Sequence, residues 1–168
     1  MANTQMPFPK IEHCLICEDI RPESSGLSSL LGFYGIAPHV KIHILDFSRP
    51  VPRLTLFFLA DEVTAGGNYQ LSIRVLDPNQ KSVLSPEATA KINLKPEPGK
   101  RLQMAINMLG TKFSGPGTCK VFISVDGSPH FNTAFQLIQG SRGGVGDSSS
   151  GVLLAGQIEG DSTPAAGE

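Results

Sequence analysis

The chain has 168 residues, enough for one domain that buries about two-thirds of its unfolded surface without a disulfide or metal staple. Its 14 basic and 15 acidic residues leave a net charge of -1 and form no basic tract, which excludes electrostatic capture by nucleic acid or an anionic membrane. Three cysteines, an odd number, favour reduced buried thiols over a disulfide framework.

Residues 1–10 carry two prolines and little periodicity and read as a loose lead-in. The opening MANTQMPFPKIEH has no charged segment followed by an apolar core, and no later apolar run approaches the ~20 residues of a membrane helix, so a soluble cytoplasmic protein is expected. In residues 11–17, Ile11, Leu15 and Cys17 alternate with Glu12 and Glu18 while Cys14 and Ile16 make the second face apolar, the pattern of a strand covered on both sides. Residues 18–26 read as a charged turn and 27–36 as a returning apolar strand, bent at Gly32 and Gly35. Val40, Ile42 and Ile44 then alternate with His39, Lys41 and His43, which sets a core face against an outward one.

Residues 54–60 are apolar or β-branched throughout and predict a doubly buried central strand; Gly66-Gly67 turns it. Tyr69, Leu71, Ile73 and Val75 alternate with Gln70, Ser72 and Arg74, a period that a helix could not bury on one face. Asp77-Pro78-Asn79-Gln80 has turn chemistry, and residues 81–85 are expected to return as a short strand. Residues 86–95 are ambiguous: Ser85, Pro86 and Glu87 could start a helix, but Ala88, Ala90, Ile92 and Leu94 alternate, which favours a strand. Leu102, Met104, Ile106 and Met108 mark the next strand; Cys119, Val121, Ile123 and Val125 another; Asp126-Gly127 turns into a last one with Phe131, Thr133, Phe135 and Leu137. Eight or nine short strands without a convincing helix predict an all-β domain over residues 11–139, an antiparallel two-sheet sandwich of the Ig-like kind. Residues 140–168 turn Gly/Ser-rich, with too few large apolar groups to offset the entropy of ordering them, and are expected to be a disordered tail.

Two phrases carry a resemblance. ICEDIRPESSGLSSLLGFYGI resembles the opening of a family of short, β-rich bacterial proteins of unknown function, whose pattern is close to LCDDVR, a few polar residues, then GKLSLIGVY. Cys17, Glu18, Asp19, Ile20 and Arg21 fall on the first part, and Gly26, Leu27, Ser28, Leu31, Gly32, Tyr34 and Gly35 on the second. FSGPGTCKVFISVDG is similar to that family's later phrase, in which a Pro-Gly turn starts a strand closing on Asp-Gly. The chain departs from the pattern at Leu27, where a basic residue often stands, and at Cys119, where an aromatic is usual. The resemblance covers residues 11–138 and implies a fold and a bacterial source; it brings no activity.

The chemistry-bearing residues favour plain structural readings. Cys14 and Cys17 form a C-x-x-C without the second ligand pair that zinc needs, and in a strand they point to opposite faces, so both are expected to be buried structural thiols. His39 and His43 share a face but lie roughly 13 Å apart along a strand, too far for one metal to bridge. Glu18, Asp19 and Glu23 could ligate calcium, yet Arg21 among them makes an internal ion pair the simpler arrangement. Gly110-Thr111-Lys112 lacks the ending and the following helix of a phosphate loop, and the tyrosines and phenylalanines, Tyr34 included, read as core. No catalytic signature occurs.

The expectation is a non-enzymatic module that needs no metal or cofactor and binds a protein partner, less favourably a glycan, through loops or an outward sheet face. The candidate contacts are Glu18, Asp19, Arg21 and Glu23, then the face of His39, Lys41 and His43. The alternative is an enzyme whose site is built from dispersed residues.

Overall fold

The computed structural model describes residues 7–24, 28–84 and 88–140, and every regular element among them is a strand. In chain order these are β1 (Ile11–Cys17), β2 (Asp19–Pro22), β3 (Ser28–Leu31), β4 (Gly35–Ile36), β5 (Lys41–Ile44), β6 (Val51–Glu62), β7 (Gly67–Leu76), β8 (Ala88–Leu94), β9 (Arg101–Thr111), β10 (Gly117–Val125) and β11 (Ser128–Gln139). They form a four-stranded sheet in the order β4-β1-β6-β9, a five-stranded sheet in the order β5-β11-β10-β7-β8, and the two-stranded ribbon β2-β3.

Period-2 alternation places the core. On the four-stranded sheet, Cys14 and Ile16 of β1 lie beside Phe58 and Leu56 of β6, which in turn face Met104 and Ile106 of β9. The five-stranded sheet supplies Tyr69, Leu71, Ile73 and Val75 from β7, Cys119, Val121, Ile123 and Val125 from β10, and Phe135 and Leu137 from β11; all belong to one hydrophobic cluster. Phe58 of one sheet meets Phe131 of the other edge to face, with ring centroids 6.2 Å apart, so the cluster is shared between the sheets. Phe58 and Phe135 are fully buried, and truncating either to alanine should cost about 3–5 kcal/mol in urea unfolding.

Most expected strands appear, including residues 88–94, where the alternation outweighs the helix start. Four features differ. Eleven strands stand where spacing predicts eight or nine, because the run 27–36 is cut into β3 and β4 at Gly32, whose φ is +58°, and because residues 19–22 of the expected charged turn pair with β3. Residues 81–84 make only an isolated bridge, Ser82 to Leu76, instead of a strand. The sheets are not wholly antiparallel, since β5 lies parallel to β11 with Ile42 beside Leu137. A parallel pair needs a crossover, and its partner here is almost a hundred residues away, so no local turn signal announces it. The expected tail falls outside the described residues from 141 onward, as does most of the lead-in and the helix start at 85–87.

Asp77 organises the connection after β7. Its Oδ1 accepts from the Lys81 amide at 2.9 Å, and its backbone exchanges hydrogen bonds with Lys81 and Gln80. Burial pushes the carboxyl up, but hydrogen bonds from the Ser114 hydroxyl and from the amides of Lys81, Asn79 and Ser114 outweigh this and hold it below its ordinary value. The stability such a group contributes is present above its unfolded value, 3.8, and is lost as pH falls through the lower folded value. Asp77→Asn should therefore unfold at lower urea than wild type at neutral pH, with the gap narrowing as pH drops below about 3.8. A gap that stays constant into acid would show that the charge contributes nothing.

Candidate functional site

β6 generates the surface on which the expected contact residues sit. Residues 54–58 are buried without a break, so Leu54, Leu56 and Phe58 face the core while Thr55 and Phe57 need a cover on the other side. The ribbon β2-β3 approaches this outer face. Cys17, the last residue of β1, is paired with Thr55 and lies outside the core cluster that holds Cys14. The Thr55 hydroxyl, fully buried, has two acceptors for its single proton, the Glu18 carbonyl oxygen at 3.1 Å and Asn107 Oδ1 at 2.9 Å.

The carboxylates at the ribbon are engaged by neighbouring groups. Asp19 pairs with Arg53 of β6 and takes a hydrogen bond from the Ile20 amide at 2.9 Å. Glu18 accepts from the Tyr34 hydroxyl at 3.1 Å, and its amide donates to the carbonyl oxygens of Leu31 and Gly32. Glu23 accepts from the Ser29 hydroxyl at 2.6 Å. The expected pairing of Arg21 with Asp19 or Glu18 is not found: Arg21 is exposed and makes no ion pair among the described residues, because Asp19 is already engaged by a cation from the neighbouring sheet. Each such half-exposed pair stabilises by about 1 kcal/mol or less, so the ribbon is held by their sum with the Thr55 and backbone bonds.

His39 precedes β5, and Lys41 and His43 alternate outward along it, as the pattern predicts. β5 is an edge of the five-stranded sheet, so the two expected contact groups belong to different sheets. Sequence reasoning missed the residues between them. Phe33, Tyr34 and Ile36 are 52%, 38% and 47% exposed. The expectation that Tyr34 is core is thus corrected: Gly32 at positive φ ends β3 and turns the following side chains outward. The run of glycines around an apolar stretch was the available signal. Ile36 continues inward to Leu15 and Phe57, its neighbours across β4, β1 and β6.

The thiols are poorly suited to nucleophilic or ligand chemistry. Burial pushes Cys14 up to about 12, and burial together with the Asp77 charge does the same to Cys119. Cys17 is raised by burial and by the Asp19 charge, partly offset by the Asp19 amide. Among the described residues no three His, Cys, Asp or Glu side chains converge as a metal site.

A sequence profile described as a family of unknown function, DUF6941, matches residues 12–138. No curated protein matches the chain. Among solved structures, the alkylpurine DNA glycosylase AlkC of Pseudomonas fluorescens bound to DNA containing an abasic site analog is similar over 58% of this chain and 27% of its own, at 17% identity and a TM-score of 0.32. The β-glucosidase of Listeria innocua is similar over 77% of this chain and 16% of its own, at 9% identity and a TM-score of 0.35. This chain therefore spans a small part of either protein, and likenesses this distant transfer no activity.

Two outcomes test the site's construction. A Cβ on Gly32 would meet Glu18 Cδ at 2.5 Å, whereas one on Gly110, at a similar φ of +60°, meets nothing within 4 Å. Gly32→Ala should cost about 1 kcal/mol more than Gly110→Ala, and the excess should vanish in a Glu18→Ala background; an excess that persists there would deny that Glu18 packs on Gly32. Separately, a thiol reagent at mildly alkaline pH should leave all three cysteines unmodified in the native protein and label them in denaturant. Rapid native labelling of Cys17 would mean that the ribbon does not seal it.

Proposed function

We propose that this chain, which belongs to the DUF6941 family of unknown function, acts by binding a protein partner and performs no chemistry of its own. The supporting observation is that three of the five exposed large hydrophobics among the described residues, Phe33, Tyr34 and Ile36, fall within four positions. Water-exposed aromatic and aliphatic groups gathered at one place, beside a charged rim, are the composition of interface hot spots. Arg21, exposed on the adjoining ribbon, is the rim residue most suited to a partner's carboxylate. Glu18, Asp19 and Glu23 act one step back, holding the ribbon in shape, while His39, Lys41 and His43 form a flank reached through the Ile36 carbonyl, to which the His39 amide donates.

In this reading the two larger sheets are an Ig-like sandwich that serves as a rigid platform, and contact falls on the ribbon and its return. We place the protein in a reducing bacterial cytoplasm, with its three free cysteines as the supporting observation.

The experiment compares wild type with Phe33→Asp and Ile36→Asp as bait in source lysate, followed by reconstitution with the purified protein recovered. Both variants alter exposed side chains, so each should melt within about 2 °C of wild type. Each should weaken the partner at least about tenfold, and Arg21→Glu should weaken it less. Retention of the partner by both aspartate variants would reject this surface, and substrate turnover by the purified protein would reject the non-enzymatic reading.

A further inference from the structure

The four-stranded sheet ends on β9, whose outer edge is unguarded. β9 pairs with β6 along one side. Among the described residues, no strand or backbone bond from another element occupies the other side of Arg101–Thr111. Alternate N–H and C=O groups of such a strand point away from its neighbour and face water. Natural sheets protect an edge by shortness, by proline or by charge. The other edges follow that rule: β4 has two residues, β5 has four with Lys41 outward, and β8 carries an exposed Lys91 at its centre. β9 has 11 residues, and after Arg101 it contains neither charge nor proline.

We infer that this edge pairs with the same edge of a second copy, antiparallel about a two-fold axis at Ala105, joining two four-stranded sheets into one. The sequence of β9 is self-complementary about that position. Gln103 comes opposite Asn107, amide against amide; Met104 comes opposite Ile106 and Leu102 opposite Met108, apolar against apolar. Arg101, the strand's one charge, comes opposite Leu109, so no like charges face each other, and its guanidinium is already paired with Glu12 of β1 at 3.1 Å. An axis between two residues would set polar side chains against apolar ones, and an axis at Ile106 would set Gln103 against Leu109. The apolar side chains at this edge are only partly covered: Met104 and Ile106, half-buried against the core cluster, line a 370 Å³ groove toward β8 together with Leu71, Ile73 and Ile92. In the pair, the second copy's Met104 and Ile106 extend over the same face. A two-fold contact closes on itself and leaves no free β9 edge for further growth.

Ala105 tests this directly, because it is exposed, faces away from the core, and on the axis would face its own copy. Sedimentation velocity on the full chain should show the mass moving from one chain to two as concentration rises. Ala105→Lys and Ala105→Glu should each remain monomeric, with association at least tenfold weaker, while an equimolar mixture of the two should dimerise again. Circular dichroism of each variant should match wild type. A wild type that stays monomeric to the highest concentration would overturn the proposal, as would dimers that survive in both variants, assemblies that grow beyond two chains, or a mixture that stays monomeric.

Discussion

Strand β6 is buried on both faces from residue 54 to residue 58, and the rest of the molecule is arranged to satisfy it. One face needs a second sheet, which the five-stranded sheet supplies through a shared apolar cluster. The other face carries Thr55, a buried hydroxyl that is costly unless bonded. Its acceptors, the Glu18 carbonyl and Asn107 Oδ1, come from the neighbours on either side. The first bond dictates where the chain must lie as it leaves β1, and so where the ribbon begins.

That constraint inverts the usual division of labour at the ribbon. Carboxylates that composition would assign to solvent are engaged by Arg53, Tyr34 and Ser29, while apolar side chains on the return, Phe33 and Ile36, are left facing water. The inversion has a physical logic: a short two-stranded ribbon is marginal by itself and needs tethers to a stable sheet.

The five-stranded sheet shows a different economy. Its far edge is closed by β5, which reaches β11 in parallel, with the Gln136 amide donating to the Val40 carbonyl at the start of the pair. At the other end of β7, a single carboxylate, Asp77, gathers donors from its own turn and from Ser114. Both devices join segments distant in sequence, and both lie where the strand pattern alone is silent.

What the sequence determined by itself was every strand whose alternation is driven by burial. β5, β7 and β10 each set apolar residues at every second position, β11 does so but for Thr133, and that period admits one conformation. The opposite facing of Cys14 and Cys17 followed from the same period, and the unbroken apolar stretch of β6 announced double burial. Tertiary structure alone decided partners. Arg21 and Arg53 are both arginines near carboxylates in some fold, and only the placement of β2 over β6 selects Arg53 for Asp19. Phe33 and Tyr34 look like core by composition, and only the positive φ at Gly32 turns them out. The parallel neighbour of β5 is equally invisible. The physical reason is common to all three: periodicity records whether a side chain meets water, whereas ion pairs, chain reversals and strand neighbours depend on which distant segment arrives opposite it.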